Sequence, residues 1–471
     1  FADRTLYSNG DVIETEGAVP VKQVWFPRGA VMGTQEFDRE RYGMSASLQW
    51  RSNDESMEAT AEFLRSDARE AWTEHTMEIA TDVVTDQGDS RAVPGTSFTF
   101  DSSDIFDSGY ITGPAGWRDD QWSGDPRTPA FGLQSNNILR DVTQKYVTED
   151  LSVNFKWFLA DDWALNFDYQ HVKSTVDNTD AGIWNSTFQD LQIDLNGNKL
   201  PDVRFTPPQP CEGGPNNECS SYFTGDHQSF VDPFNSFYRS AMDHIEESEG
   251  TSDAFRIDAS KVFDNSDWLD SIQFGYRYAD RDQTARFSTY NWGSLSEIWG
   301  NGGPVWLDDP LASTGQPAGQ QTAFYFDEFF KNKTGNPIGD DGRIFYDGLP
   351  SKDYDSYAAY AAAIAADWGG DWLALGQRPN AIAGTPFLPS EINPVREKNN
   401  AAYFTMNWDH EMDNGMAFRG NVGIRYTDTN RTASGYDVFQ YQDFTTEAEC
   451  NEPLPPGQEK SAWCSLCLLY T

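Results

Sequence analysis

The sequence predicts an all-β fold, namely part of an antiparallel transmembrane β-barrel contributing about ten strands, with short turns at one end and long loops at the other. Three observations predict it. Four hairpins alternate apolar and polar residues with period 2. Their internal turns are a few residues long, whereas the connections between hairpins are each more than seventy residues. Aromatic residues also gather beside the short turns, as at a membrane-water boundary.

The first hairpin places Tyr42, Met44, Ala46, Leu48 and Trp50 on one face, turns at Ser52-Asn53-Asp54, and returns with Met57, Ala59, Ala61 and Phe63. The second runs Leu151, Val153, Phe155 and Trp157 into a turn at 160–162 and out through Trp163, Leu165, Phe167 and Tyr169. The third carries Phe255, Ile257, Ala259 and Phe263, then Ile272, Phe274, Tyr276 and Tyr278. The fourth lies within Asn400 to Tyr436, where Phe418, Val422, Ile424 and Tyr426 oppose Arg419, Asn421 and Arg425. Alternation of this kind means a strand with two unlike surroundings. The uncharged face packs on a second sheet or meets lipid, and one hairpin alone leaves both open.

Counting outward from these stretches, the long connections run from Asp67 to Val142, Asp177 to Gly250 and Ser288 to Pro394. A soluble sandwich has no reason to segregate loops this way, whereas an outer-membrane barrel does. Trp50, Trp157, Trp163, Phe263, Trp268 and Trp408 form the expected belt beside the turns. Within the loops, the Ala-rich stretch Tyr354 to Trp368 predicts a surface helix capped by Asp353 or Ser356. The stretch Asp194 to Asp202 resembles part of a calcium loop, but it lacks the closing Glu and contains Lys199, so an Asx/Gly turn is the preferred reading.

The 471 residues include 34 Lys plus Arg against 74 Asp plus Glu, a net charge of −40, which argues against nucleic acid as a partner. No run approaches the roughly 20 apolar residues of a membrane-spanning helix, a test that strands do not face. Nucleotide-binding, nucleophile-elbow and zinc-protease motifs are missing, and the five His are scattered. These observations predict no enzyme, no cofactor and no metal site. Cys211 with Cys219, and Cys450 with Cys464, bracket small polar loops and read as local disulfides. The loop residues Trp117, Trp122, Trp184, Trp292, Trp299, Trp306, Trp368 and Trp372 stand among Asn, Asp, Gln and Gly, a composition suited to stacking on sugar rings or to packing loops together.

Four stretches carry a family resemblance: RERYGMSASLQWRSND from Arg39, FLRSDAREAWTEHTMEI from Phe63, DLNGNKLP from Asp194 and GNVGIRYTDTNRTASGY from Gly420. Over Trp25 to Phe444 the chain resembles the TonB-dependent outer-membrane receptors, in particular the subgroup common in Xanthomonas-like and Caulobacter-like bacteria. The resemblance implies a barrel of about 22 strands around a plug. It also implies import of a large, scarce nutrient, most often an oligosaccharide in this subgroup, across a Gram-negative outer membrane with energy delivered by TonB. Arg277, Arg419, Asn421 and Arg425 are then expected to face the lumen, where the plug would sit.

On this reading residues 1–466 are an internal, monomeric piece of the barrel domain, lacking the plug, the TonB box and the last strand. Residues 467–471 match one reading frame of a common sequencing-library transposon end and are expected to be a scar. The open alternatives are a ferric-siderophore receptor of the same family, a passive porin and a secreted carbohydrate-binding β-sandwich.

Overall fold

The computed structural model describes residues 1–81, 90–113, 116–118, 128–130, 132–197, 200–208, 223, 227–264, 266–296, 304–311, 320–327, 329–333, 335–413 and 415–436. Its framework is one antiparallel sheet with eight long strands. They are β1 (Gly29–Arg51), β2 (Met57–Ala80), β3 (Leu133–Ala160), β4 (Trp163–Asp194), β5 (Phe237–Val262), β6 (Leu269–Arg286), β7 (Ile392–Glu411) and β8 (Ala417–Ala433). Each pairs with its neighbours in chain order, from β1 at one edge to β8 at the other. The tight connections β1–β2, β3–β4, β5–β6 and β7–β8 lie at one end, and residues 81–132, 195–236 and 287–391 connect the strands at the other. In the first turn Asp54 Oδ1 accepts from Ser56 N at 3.2 Å and from the hydroxyls of Ser52 and Ser56 at 2.6 and 2.9 Å. The chain therefore reverses there on local hydrogen bonds.

Two expectations need correction. The described residues supply eight long strands to the main sheet instead of about ten, because the N-terminal hairpin Ala2–Tyr7 with Pro20–Phe26 forms a sheet of its own. The strands are also much longer than their alternating stretches, so the first two connections are shorter than seventy residues. Above the apolar stretch both faces of the strands are polar: Arg65, Asp67 and Arg69 on one face of β2 and Ser66 and Glu70 on the other. A strand with two polar faces has no hydrophobic period to read.

Toward their loop ends β1–β5 carry a second layer. Met32, Met77, Ile79, Leu139, Ile183, Leu191, Ile193 and Ala241 of the sheet pack against Val24, Phe26, Phe106, Leu295, Ile344 and Phe345 from the N-terminal hairpin and the connections. The helix α1 (Tyr354–Trp368) belongs to this layer, so it is not the surface helix expected. Tyr357, Ala358, Ala361, Ile364 and Ala365 are buried on its inner side, the small Ala side chains allowing close approach. Asp353 occupies its N-cap without a side-chain capping hydrogen bond, and Gly369 ends it at φ 75°, donating to Ala365 O.

The layer meets the sheet closely at Gly293, where an added Cβ would lie 2.7 Å from Trp372 Cα. Gly293→Ala is expected to displace Trp372 and destabilise the layer by about 1–3 kcal/mol. Hydrogen exchange should show faster opening of the amides of Leu295 and Asp371, with the band strands β7 and β8 unaffected.

Candidate functional site: the two faces of the sheet

Strand register decides which side chains share a face. One row across the sheet reads Trp50, Ala59, Phe155, Phe167, Ile257, Tyr276, Ala402 and Tyr426, each paired with the next. The next row toward the turns reads Met57, Trp157, Leu165, Ala259, Phe274, Phe404 and Ile424. All the apolar faces read from the four hairpins therefore lie on one side of one sheet. They form a continuous uncharged band of solvent-exposed side chains, among them Leu48 (73 % exposed), Ile424 (72 %) and Val422 (53 %).

Aromatic side chains line both margins of this band. At the turn end Trp268 stacks on His410 with centroids 4.1 Å apart, and Phe418 lies 6.2 Å from Trp268 and 6.3 Å from Trp408. Lys261 sits 4.9 Å over the ring of Trp163 and pairs with Asp162, keeping its charge outside the band. At the other margin the tyrosines turn their hydroxyls toward the first polar groups: Tyr169 donates to Asp253 at 2.8 Å, Tyr278 to Asp280 at 3.1 Å and Tyr276 to Asn400 at 2.7 Å. This second margin was missed in the sequence; its signal is the tyrosine that ends an apolar alternation just before the strand acquires charge. Between Trp163 and Tyr169 the band is about 20 Å high along the strand.

The opposite face is polar at the same height. Asn154 Nδ2 donates to Asn166 Oδ1 at 2.8 Å and to Asp168 Oδ1 at 2.6 Å, and Asn166 Nδ2 donates to Asp168 Oδ2 at 2.7 Å. Tyr403 donates to Asp258 at 2.7 Å, and Arg256 pairs with Asp258 at 2.6 Å. Of these, Asn154, Asp168 and Arg256 border a shallow cavity of about 330 Å³ that is also lined by Thr60, Glu62, Gln170 and Arg277, among others. The register places Arg277 directly opposite Arg256 on this face. Arg425, opposite Tyr403, and Asn421, opposite Asn407, lie on it as well. So does Arg419, which pairs with Asp409 at 2.9 Å.

Above the tyrosines, the side that carries the band becomes charged, and nearer the loops the second layer covers it. Two buried carboxylates hold that layer in place. Asp141 of β3 accepts from Ser351 N at 3.0 Å and from Thr73 Oγ1 at 2.8 Å. Asp243 of β5 accepts from Leu375 N at 3.0 Å, from Asn291 Nδ2 at 2.6 Å and from the Tyr354 hydroxyl. Arg343, fully buried, donates to Gln189 Oε1 of β4 at 3.1 Å and lies 3.8 Å from the ring centroid of Phe230.

The loop tryptophans divide. Trp306 is fully buried against Phe237, and Trp372 lies in the core beside Tyr357, its indole N–H donating to Asn291 O at 3.3 Å. Trp372 closes the layer, Trp306 belongs to a separate small cluster with Phe188 and Phe237, and both are withdrawn from solvent, as is Trp184, which packs with Ile138 and Met242. Trp292, 58 % exposed, is the one that offers a face to solvent among these four. Trp122 and Trp299, the side chains of Trp117 and Trp368, and Cys211, Cys219, Cys450 and Cys464 lie outside the described residues. The Asx turn is as expected: Asn196 N donates to Asp194 Oδ1 at 2.8 Å, with Asn196 at φ 51° and Gly197 at φ 64°.

No family model matches the chain, and neither the curated proteins nor the solved structures return a match.

One ion pair in the layer gives it acid sensitivity. Burial would raise the Glu391 carboxyl, but Arg378 at 2.7 Å and the N–H groups of Leu388 and Thr289 hold it below the ordinary glutamate range. A depressed folded-state value contributes stability that is complete above the unfolded value and is lost as pH falls below it and through the folded one. Arg378→Met should cost about 3–5 kcal/mol of local stability and abolish that acid step. Protease cleavage within 375–391, followed from pH 7 to pH 3, reads both effects.

Proposed function

We propose that this chain is part of the wall of an outer-membrane β-barrel that imports a large, scarce nutrient, an oligosaccharide above all, with energy supplied through TonB. The observation that carries the membrane part is the uncharged exposed band across eight paired strands, bounded by aromatic side chains on both margins and opposed by a polar face. Lipid is the partner that such a band fits, since water would leave its aromatic and aliphatic area unburied. Tight turns at one end and long connections at the other give the orientation, turns toward the periplasm. Each strand satisfies its backbone hydrogen bonds with its neighbours, except at the outer edges of β1 and β8, which further strands of the same barrel would cover.

The transport part rests on the family resemblance of the four quoted stretches and on the polar face with its cavity. That face, with Arg277, Arg419, Asn421 and Arg425, lines the lumen and meets the plug. The chain acts in transport and not in catalysis, works as a monomer, and has TonB as its energy-supplying partner.

The membrane reading is tested by expressing the protein in a Gram-negative host and following its fractionation and gel mobility. The expected result is an outer-membrane protein that requires detergent and shifts mobility on heating, whereas a freely soluble monomer would overturn the proposal. Val422→Arg should destabilise the barrel by about 2–4 kcal/mol and impair assembly. Asn421→Asp, one residue along and on the other face, should assemble normally. For import, uptake of the labelled nutrient should stop when the proton gradient is collapsed; uptake that persists would indicate passive permeation.

A further inference from the structure

On the polar face, between the cavity and the loop layer, side chains from five wall strands and one short strand make an aromatic stripe. Phe37 and Trp72 lie with ring centroids 6.2 Å apart, and Arg140 places its guanidinium 5.0 Å over the ring of Trp72. Asp180 of β4 holds Arg140 through two hydrogen bonds of 2.9 and 2.5 Å. Tyr290 lies within electrostatic reach of Arg140 and stacks on His244, with centroids 4.4 Å apart. Trp292, in the strand Asn291–Ser294 that pairs with β5, lies across Trp184 at 4.6 Å and is open to solvent on its other side. Register confirms the common face: Trp72, Val142, Asp180 and His244 form one row, and Glu74, Arg140, Gly182, Met242 and Trp292 the next.

We infer that this stripe is a binding platform for a neutral oligosaccharide. Phe37, Tyr290 and Trp292 are 52, 47 and 58 % exposed and present flat faces for the apolar sides of sugar rings. Between them lie planar polar groups that suit vicinal hydroxyls: the Arg140–Asp180 pair, and Gln35, whose amide donates to Glu74 at 2.8 Å. Charge selects the ligand. Arg140 is committed to Asp180 and Arg39 to Glu70 at 2.9 Å, while Glu74 adds a further negative charge, so no guanidinium of the stripe is left for an anionic chelate or an acidic sugar. Crossing six strands, the stripe is about 24 Å long, enough for several linked rings. Trp184 is the buried support beneath Trp292, which is why its own ring is withdrawn.

This inference rests on the import reading, deepening it to a site and a ligand class, and the two fail differently. The experiment is calorimetric titration of the detergent-purified full chain with neutral oligomers of glucose, xylose and mannose, with oligogalacturonate and with ferric citrate. One neutral series should bind, with Trp292→Ala and Trp72→Ala each weakening it roughly fivefold to tenfold. Phe37→Ala, at an exposed position, carries the test should Trp72→Ala fail to assemble. Unchanged affinity in the variants, preference for oligogalacturonate or ferric citrate, or no binding of any oligomer at millimolar concentration would each overturn the platform. A heat-modifiable barrel that binds no sugar removes the platform alone, while a soluble chain that binds sugar removes the membrane reading alone.

Discussion

Side chains alternate with period 2 along a strand, so a pairing slip of one residue would carry every apolar residue of that strand to the polar face. Eight strands can share one uncharged band only if none of them slips within it. The pairing is uninterrupted at that height; its irregularities, between Phe158 and Ala160, Leu269 and Ser271, and Trp184 and Asn185, lie at or beyond the margins. The band, the polar cavity behind it and the aromatic stripe above the cavity are all products of this one alignment. Short turns help to hold it, since a hairpin loop of fixed length leaves its strands little choice of partner.

That alignment also explains what could be read in advance. Where one face is apolar and the other polar, as from Phe418 to Tyr426, the alternation is visible in the residues themselves. Where both faces are polar, as along Arg65 to Glu70, the strand continues but its period does not show, and its length was underestimated. The loop layer was hidden for a different reason. Its core joins residues far apart in the chain, such as Phe26 with Phe106, and only the tertiary arrangement reveals that Ala358, Ala361 and Ala365 of α1 turn inward. The same holds for the tryptophans: composition placed them all in one class, yet Trp306 and Trp372 are buried while Trp292 stays open.

The two sides of the sheet solve different electrostatic problems in a chain of net charge −40. Toward the turns, charge is kept out of the band and held at its margins, as Lys261 and Asp162 show. Higher up, carboxylates are drawn into hydrogen bonds with tyrosine and serine hydroxyls and with backbone amides, which offset the cost of burying Asp141 and Asp243. On the polar face arginines pair with neighbouring carboxylates, as Arg140 with Asp180 and Arg256 with Asp258.

The anchors of the longest connection have a mechanical consequence. That segment leaves β6 and enters β7, yet it reaches back to fasten on β3 through Ser351 and Asp141 and on β5 through Tyr354 and Asp243. Closing so long a loop costs only about 1 kcal/mol more than closing the shortest of the three, so length is a minor burden. The return contacts act as a diagonal brace across β4. Sliding β3 along β5 would strain both fastenings at once, so the stagger of these strands is set from outside the sheet as well as by its own ladder of hydrogen bonds. Stagger fixes which rows of side chains lie level across the sheet, and here a loop shares in setting it.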